Sequence, residues 1–193
     1  MQKMKNLFFD TETSGLPTKF KAHYSDTECW PRIVQLSWLI ADDAGKILSE
    51  SDFIIKVDFE IPIEASRIHG ITNEISDKKG VPINQALKIF ANDLSQADRL
   101  VCHNVGFDMP VLQCELFRND FDHEISHPNF CTMLNSTSYC QIPGNRGYKW
   151  PRLDELYKIC FGKKLKDAHN AKADVLATYK IFYHLKNANV FEV

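Results

Sequence analysis

The chain has 193 residues, 44% of them apolar and 25% charged, with a formal net charge of -2. That length suits one domain over 1–193 with a substantial core. The slight negative charge excludes the broad basic field of an architectural nucleic-acid binder. It does not exclude chemistry on nucleic acid, because bound cations bring their own positive charge.

Residues 5–10 are short and apolar and end at an acidic turn, which predicts a core strand with chemistry at its tip. Residues 16–31 lack a clear period and read as a surface loop. Ile33, Val34, Leu36, Trp38, Leu39 and Ile40 make 32–41 a strand. Asp42-Asp43-Ala44-Gly45 is then a hairpin turn, and 46–57 the returning strand. Pro62 opens a short helix through Arg67, stopped by His69-Gly70. Ile83, Leu87, Phe90 and Leu94 form one stripe on a helix over 82–97. Leu100-Val101-Cys102 is a short buried strand, and 107–117 a helix in which Pro110 is tolerable only in the first turn. Residues 130–139 read as a strand end and a helix, 152–160 as a helix closed by Phe161-Gly162, and 171–186 as the last helix. An antiparallel hairpin followed by alternating helices and short strands predicts a mixed α/β sheet with helices on both faces.

The six cysteines form no C-x-x-C pair and several lie in apolar runs. Free buried thiols of a reducing compartment are expected, not a zinc site. The start, Met1-Gln2-Lys3-Met4-Lys5-Asn6, lacks the apolar region and cleavage site of a signal peptide. No apolar stretch is long enough to cross a membrane. The expectation is a cytoplasmic protein without a membrane partner.

Three clusters adjoin these apolar elements. Asp10 and Glu12 are two apart on a strand-like segment, so their side chains leave one face and Thr11 the other. Two hard oxygen ligands on one face suit Mg²⁺ or Mn²⁺, although D-x-E alone also suits a solvated turn. Asp108 follows Gly106-Phe107 near a helix start, where an acid also serves the helix dipole, and Asn104 can cap that helix or hold an acid. His169 and Asp174 are five apart and would diverge by about 140° on one straight helix. That places His169 in the loop or first turn before the helix and Asp174 one turn inside it. Taken singly, each cluster has a bland surface explanation. Taken together, four acids and a histidine stand at strand and helix ends that a mixed sheet gathers on one edge, where two cations would clamp a phosphoryl centre.

Phe9-Asp10-Thr11-Glu12-Thr13, His103-Asn104-Val105-Gly106-Phe107-Asp108 and His169-Asn170-Ala171-Lys172-Ala173-Asp174 resemble, in order and spacing, the three motifs of the DEDDh group of 3′–5′ exonucleases. This ribonuclease H-like group includes the epsilon subunit of DNA polymerase III, ribonuclease T and oligoribonuclease. Arg67 to Thr72, Cys131-Thr132 and Leu153 to Leu156 fit as flanking pieces, and the likeness covers residues 5–187. Val105 stands where the group often has alanine. The resemblance implies a ribonuclease H-like five-stranded mixed sheet and a single exonuclease domain over 1–193. It implies that Asp10, Glu12 and Asp174 hold one Mg²⁺ or Mn²⁺ for water activation, that Asp10 and Asp108 hold a second at the leaving 3′-oxygen, and that His169 is the general base. Imidazole suits that last task because it titrates near neutrality. The products would be nucleoside 5′-monophosphates from a nucleic-acid 3′ end, with single-stranded DNA favoured. The main-chain segment from Thr11 to Thr13 would contact the terminal nucleotide, Leu16 would wedge against the last bases, and His69 and Ile71 would line the nucleoside pocket, with Asn104 as a further substrate contact.

Asn145-Arg146-Gly147-Tyr148-Lys149-Trp150-Pro151-Arg152 and Lys163-Lys164-Leu165-Lys166 mix basic and aromatic residues. They suit phosphate tracking and base stacking, or a solvated loop with Trp150 packed down. RNA is the rival substrate, since no motif reports a 2′-hydroxyl sensor. A nucleotide hydrolase and a non-catalytic binding module are the other readings. A DNA polymerase and a second copy of the chain are the candidate protein partners by resemblance.

Overall fold

The computed structural model describes residues 4–121 and 124–193; Met1 to Lys3, read above as part of a leaderless start, lie outside the described residues. The strands are β1 (Lys5–Thr13), β2 (Ile33–Asp42), β3 (Ile47–Ile54), β4 (Arg99–Cys102) and β5 (Asn129–Cys131). They form one sheet in the order β3-β2-β1-β4-β5. The β1–β2 and β2–β3 pairs are antiparallel, whereas β1–β4 and β4–β5 are parallel. The expected mixed five-stranded sheet is therefore present.

Around the sheet lie α1 (Ile63–His69), α2 (Asn73–Lys79), α3 (Ile83–Leu94), α4 (Val105–Arg118), α5 (Thr132–Cys140), α6 (Leu153–Phe161) and α7 (Ala171–Asn187). Side-chain parity along β1 and β2 sorts them onto the two faces. Leu7, Phe9, Leu36, Trp38 and Ile40 pack with the stripe of α3 and with Val111 and Leu112 of α4. Phe8, Leu39 and Ala41 point the other way and pack with Leu156 of α6 and with Val175, Ile181 and Phe182 of α7. Phe8 alone, fully buried, contributes about 2–3 kcal/mol. It meets Phe182 edge-on at 5.3 Å between centroids, which pins α7 to the central strand.

Several boundaries differ from the sequence reading. β1 continues to Thr13 because Thr11 and Glu12 still pair with Leu36 and Gln35 of β2, so the acids lie on the strand and not in a turn after it. α4 starts at Val105, which makes Pro110 its sixth residue instead of a first-turn residue. The helix forgoes the bond that residue 110 would donate to Gly106. α3 stops at Leu94 and not at Ala97, and α1 runs to His69, where Gly70 takes a left-handed φ of 76° and closes it. Helix α2 escaped the reading because Ile75 is its one apolar side chain, too few for a stripe. A small hairpin, β6 (Pro143–Gly144) with β7 (Gly147–Tyr148), was likewise unforeseen.

The loop over 16–31 is irregular, as expected, yet it is tied down. Glu115 of α4, 1% exposed, accepts from Arg32 Nε at 2.8 Å and from Arg118 Nη1 at 2.9 Å. Arg118 in turn donates to the carbonyls of Thr27, Trp30 and Pro31. Glu115→Ala takes the buried carboxylate from the mostly buried Arg118 and the part-exposed Arg32 and should cost about 3 kcal/mol. Urea unfolding monitored by circular dichroism reads that loss, and an unchanged midpoint would show the network to be ornamental.

Four cysteines are buried and two are half-buried, all free, in line with the thiol reading. Among the described residues no helix is long and apolar enough to cross a membrane.

Candidate active site

Parity decides which acids meet. Asp10 and Glu12 follow Phe8 onto the α7 face of β1, and Thr11 follows Phe9 onto the α4 face. The first turn of α7 is set against that edge by its own caps. Asn170 accepts from Ala173 N–H at 3.3 Å, and Gln35 of β2 accepts from Ala171 N–H at 3.3 Å. Gln35 is itself held by Asp52 at 2.8 Å. Asp174 is the fourth residue of α7, and its carboxylate joins those of Asp10 and Glu12. One oxygen from each lies within 4.8 Å of the others.

Asp108 is brought close but not into that triad. It sits in the first turn of α4, over the opposite face of the strand. Its Oδ1 accepts from Thr11 N–H at 3.1 Å and from Thr11 Oγ1 at 2.7 Å, and its Oδ2 accepts from the Cys102 thiol at 3.3 Å. The contact with Cys102 carried no sequence signal, since a cysteine in an apolar strand reads simply as core.

These acids are crowded and dry. Burial, then the charges of Asp108, Asp174 and Glu12, hold the Asp10 carboxyl well above the usual carboxylate range. Burial, then Asp174 and Asp108, push Glu12 up to about 8. Burial pushes Asp108 up to about 6 against the pull of the Thr11 and Cys102 donors. Burial also pushes Asp174 up to about 6 against the bond from His169. Asp174 Oδ1 is buried and has no hydrogen-bond partner among protein atoms. Three converging carboxylates, one of them with an unpartnered buried oxygen, fit a divalent cation.

This crowding makes stability depend on pH. A carboxyl raised on folding binds a proton that the unfolded chain has already lost, so stability is greatest at low pH and declines as pH rises. For Glu12 the window runs from 4.5 to about 8, and for Asp108 and Asp174 from 3.8 to about 6. In chelator, the melting temperature should therefore fall between about pH 4 and pH 8, by several degrees at roughly 2–4 °C per kcal/mol. Mg²⁺ should restore most of the loss at the alkaline end. A flat profile in chelator would show that the acids do not crowd one another.

His169 stands in the loop before α7, as the five-residue spacing requires. It has a left-handed φ of 66°, and Asp167 nearby has 55°. Its main-chain N–H donates to Asp174 Oδ2 at 3.1 Å, while the side chain is exposed. The backbone thus steadies the acid and leaves the ring free. The ring borders a cavity of 260 Å³ shared with Asp174, Arg152 and Asp154, and one of 620 Å³ shared with Arg67 and His69.

A third cavity, of 480 Å³, opens beside Glu12. Thr11, Thr13, Leu16 and His69 line it, with Ile68 and Phe107 adding apolar walls that the sequence did not single out. Leu16 is 74% exposed at its rim. His69 is buried, and Nδ1 accepts from Ile71 N–H at 3.1 Å, so the neutral ring carries its proton on Nε2. Nε2 faces the Thr13 carbonyl without closing a hydrogen bond. Burial lowers the pKa of that ring. Ile71 does not reach the cavity; it is buried with Val34, Ile61 and Ala65 below α1. Asn104 is exposed at the N-cap of α4 with φ 73°, and its side chain neither caps the helix nor lines the cavity. Trp150 is 63% exposed, which excludes a ring packed down on the body.

Sheet order, helix placement and acids gathered at one edge of the central strand define a ribonuclease H-like nuclease fold. Residues 7–182 match the family model described as Exonuclease, the ribonuclease T type, and the chain belongs to that family, in its DEDDh form. It is 31% identical over 121 residues to DNA polymerase III subunit epsilon of Rickettsia prowazekii, a match covering 60% of this chain and 46% of that protein. It is 28% identical over 185 residues to the uncharacterized exonuclease CP81 of Escherichia phage 186, covering 91% and 84%. Among solved structures, E. coli Exonuclease I in complex with a dA16 oligonucleotide aligns with a TM-score of 0.74 at 20% identity, over 97% of this chain and 42% of that one. That last likeness shows the fold. The chain spans about half the length of the epsilon subunits it matches.

Proposed function

We propose that the protein is a 3′–5′ exonuclease that hydrolyses phosphodiester bonds at the 3′ end of single-stranded DNA, releases nucleoside 5′-monophosphates and uses two Mg²⁺ or Mn²⁺ ions. The observation that carries this reading is the Asp10, Glu12 and Asp174 triad beside a cavity of 480 Å³ walled by Leu16, Ile68, His69 and Phe107. A pocket of that size with apolar walls accepts one terminal nucleoside and reads its shape more than its base edge.

Asp10, Glu12 and Asp174 would hold one cation, and Asp10 with Asp108 the second. When bound, such ions supply Lewis-acid charge for the scissile phosphate and lower the pKa of water. His169 takes the proton of the attacking water on its free ring nitrogen, next to Asp174. The Thr11 hydroxyl holds Asp108, a positioning task, while the main chain from Thr11 to Thr13 runs along the cavity where the terminal nucleotide would sit. Leu16 and His69 border the terminal nucleoside, and Thr13 aligns the turn by donating from Oγ1 to Gly15 at 2.7 Å.

DNA is favoured over RNA because one relative is a DNA polymerase III subunit and a fold neighbour was solved with a dA16 oligonucleotide. A polymerase and a second copy of the chain are the protein partners that this reading admits. The test is degradation of 5′-labelled and 3′-labelled single-stranded DNA and RNA, with Mg²⁺ and with chelator. Cation-dependent release of mononucleotides from the 3′ end, faster on DNA, is expected. Faster loss of RNA would replace the substrate, and no cleavage of either polymer would replace the reaction with nucleotide hydrolysis or binding alone.

A further inference from the structure

We infer that the groove between α6 and α7 is a second nucleic-acid contact, a track for backbone phosphates of the polynucleotide beyond the terminal nucleotide; it rests on the exonuclease reading for its ligand. Gly162, with φ 65°, ends α6 and turns the chain back along α7. Lys163, Lys164, Leu165 and Lys166 then face Ala173, Leu176, Ala177 and Lys180 of α7 across a cavity of 820 Å³. The α7 residues recur at i, i+3, i+4 and i+7, one stripe of the helix, and the two alanines make the depression. Its walls carry four exposed lysines and no carboxylate.

Charge accounting separates this groove from the other basic segment. In the hairpin region Lys149 is paired with Glu155 at 2.7 Å, and Arg152 with Asp154 at 3.0 Å. Among the described residues none of Lys163, Lys164, Lys166 and Lys180 has an ion-pair partner. In a chain of net charge -2, four unpaired lysines around one groove repel each other and complement a polyanion. Position gives the polyanion its identity. Leu165 is shared with the cavity that holds His169 and Asp174, and Ala173 and Leu176 with the one that holds His169 and Arg67. A strand in the groove therefore passes His169. The phosphates belong either to the strand being degraded or to the opposing strand of a duplex.

The test is fluorescence anisotropy of the full chain with a labelled oligothymidylate, and with a duplex bearing the same 3′ end, in chelator over a series of salt concentrations. Four phosphate contacts on a single strand contribute a slope of about 3 in log affinity against log salt. The variant Lys163→Ala/Lys164→Ala/Lys166→Ala/Lys180→Ala should lose most of that slope. The variant Lys46→Ala/Lys56→Ala/Lys78→Ala/Lys88→Ala, equal in charge and away from the groove, should keep it. Loss on the oligothymidylate assigns the track to the degraded strand, and loss on the duplex alone assigns it to the opposing strand. An unchanged slope on both, or equal loss in the off-groove variant, overturns the inference. The p-nitrophenyl ester of thymidine 5′-monophosphate, which needs the terminal pocket alone, should be hydrolysed equally by the groove variant and the unaltered protein. If the unaltered protein cleaves neither ester nor polymer, the exonuclease reading fails while the salt slopes still judge the groove.

Discussion

Asp10→Asn should lower hydrolysis of a 3′ end by roughly 10³-fold or more, since a cation site is worth several kcal/mol to phosphoryl chemistry. The same change should raise the melting temperature of the protein in chelator. The two effects have one origin. Asp10 lies between three other carboxylates, and its acid is held above the usual range by burial and by their charges. A neutral amide of the same shape removes a ligand shared by both proposed cations and also removes the centre of the repulsion. Steady-state turnover on single-stranded DNA and thermal melting with and without Mg²⁺ check both halves. The stabilising effect of Mg²⁺ should shrink in the variant. Near-normal turnover would remove Asp10 from the cation site, and a lowered melting temperature in chelator would deny the crowding.

His169→Asn should lower turnover by about 10²–10⁴-fold, the usual contribution of a positioned general base. It should leave the stabilisation by Mg²⁺ unchanged. The reason is the division of labour at this residue. Asp174 is held by the main-chain N–H of residue 169, which every substitution except proline retains. Asparagine is chosen because it tolerates the left-handed φ of 66° better than alanine does. Loss of Mg²⁺ stabilisation in this variant would mean that the ring also orders the cation site. Full turnover would assign the proton transfer elsewhere.

Much of this site was legible along the chain. The two-residue spacing of Asp10 and Glu12 sends both side chains to one face and Thr11 to the other, because a strand repeats every second residue. The five-residue spacing of His169 and Asp174 forbids one straight helical face, and the structure has the histidine in the loop before α7. The stripe Ile83, Leu87, Phe90 and Leu94 announced α3. Other features left no local trace. Helix α2 lacks a stripe, and the burial of Ile71 beneath α1 instead of at the cavity beside Glu12 depends on which strand lies under it.

By itself, then, the chain determined the order of the five sheet strands and of the helices that carry an apolar stripe, the five residues proposed for the chemistry, and the side of β1 from which each strand residue projects. Only the tertiary structure decided that α7 covers the side of Asp10 and Glu12 and α4 the side of Thr11. That choice makes Asp174 a member of the acidic triad, gives Asp108 to Thr11 and Cys102, and sets Lys180 across from Lys163. The backbone period is a local property, so a few neighbouring residues express it. The pairing of one face with one helix is a packing outcome between segments as far apart in sequence as Phe8 and Phe182, settled by how whole apolar surfaces fit against each other.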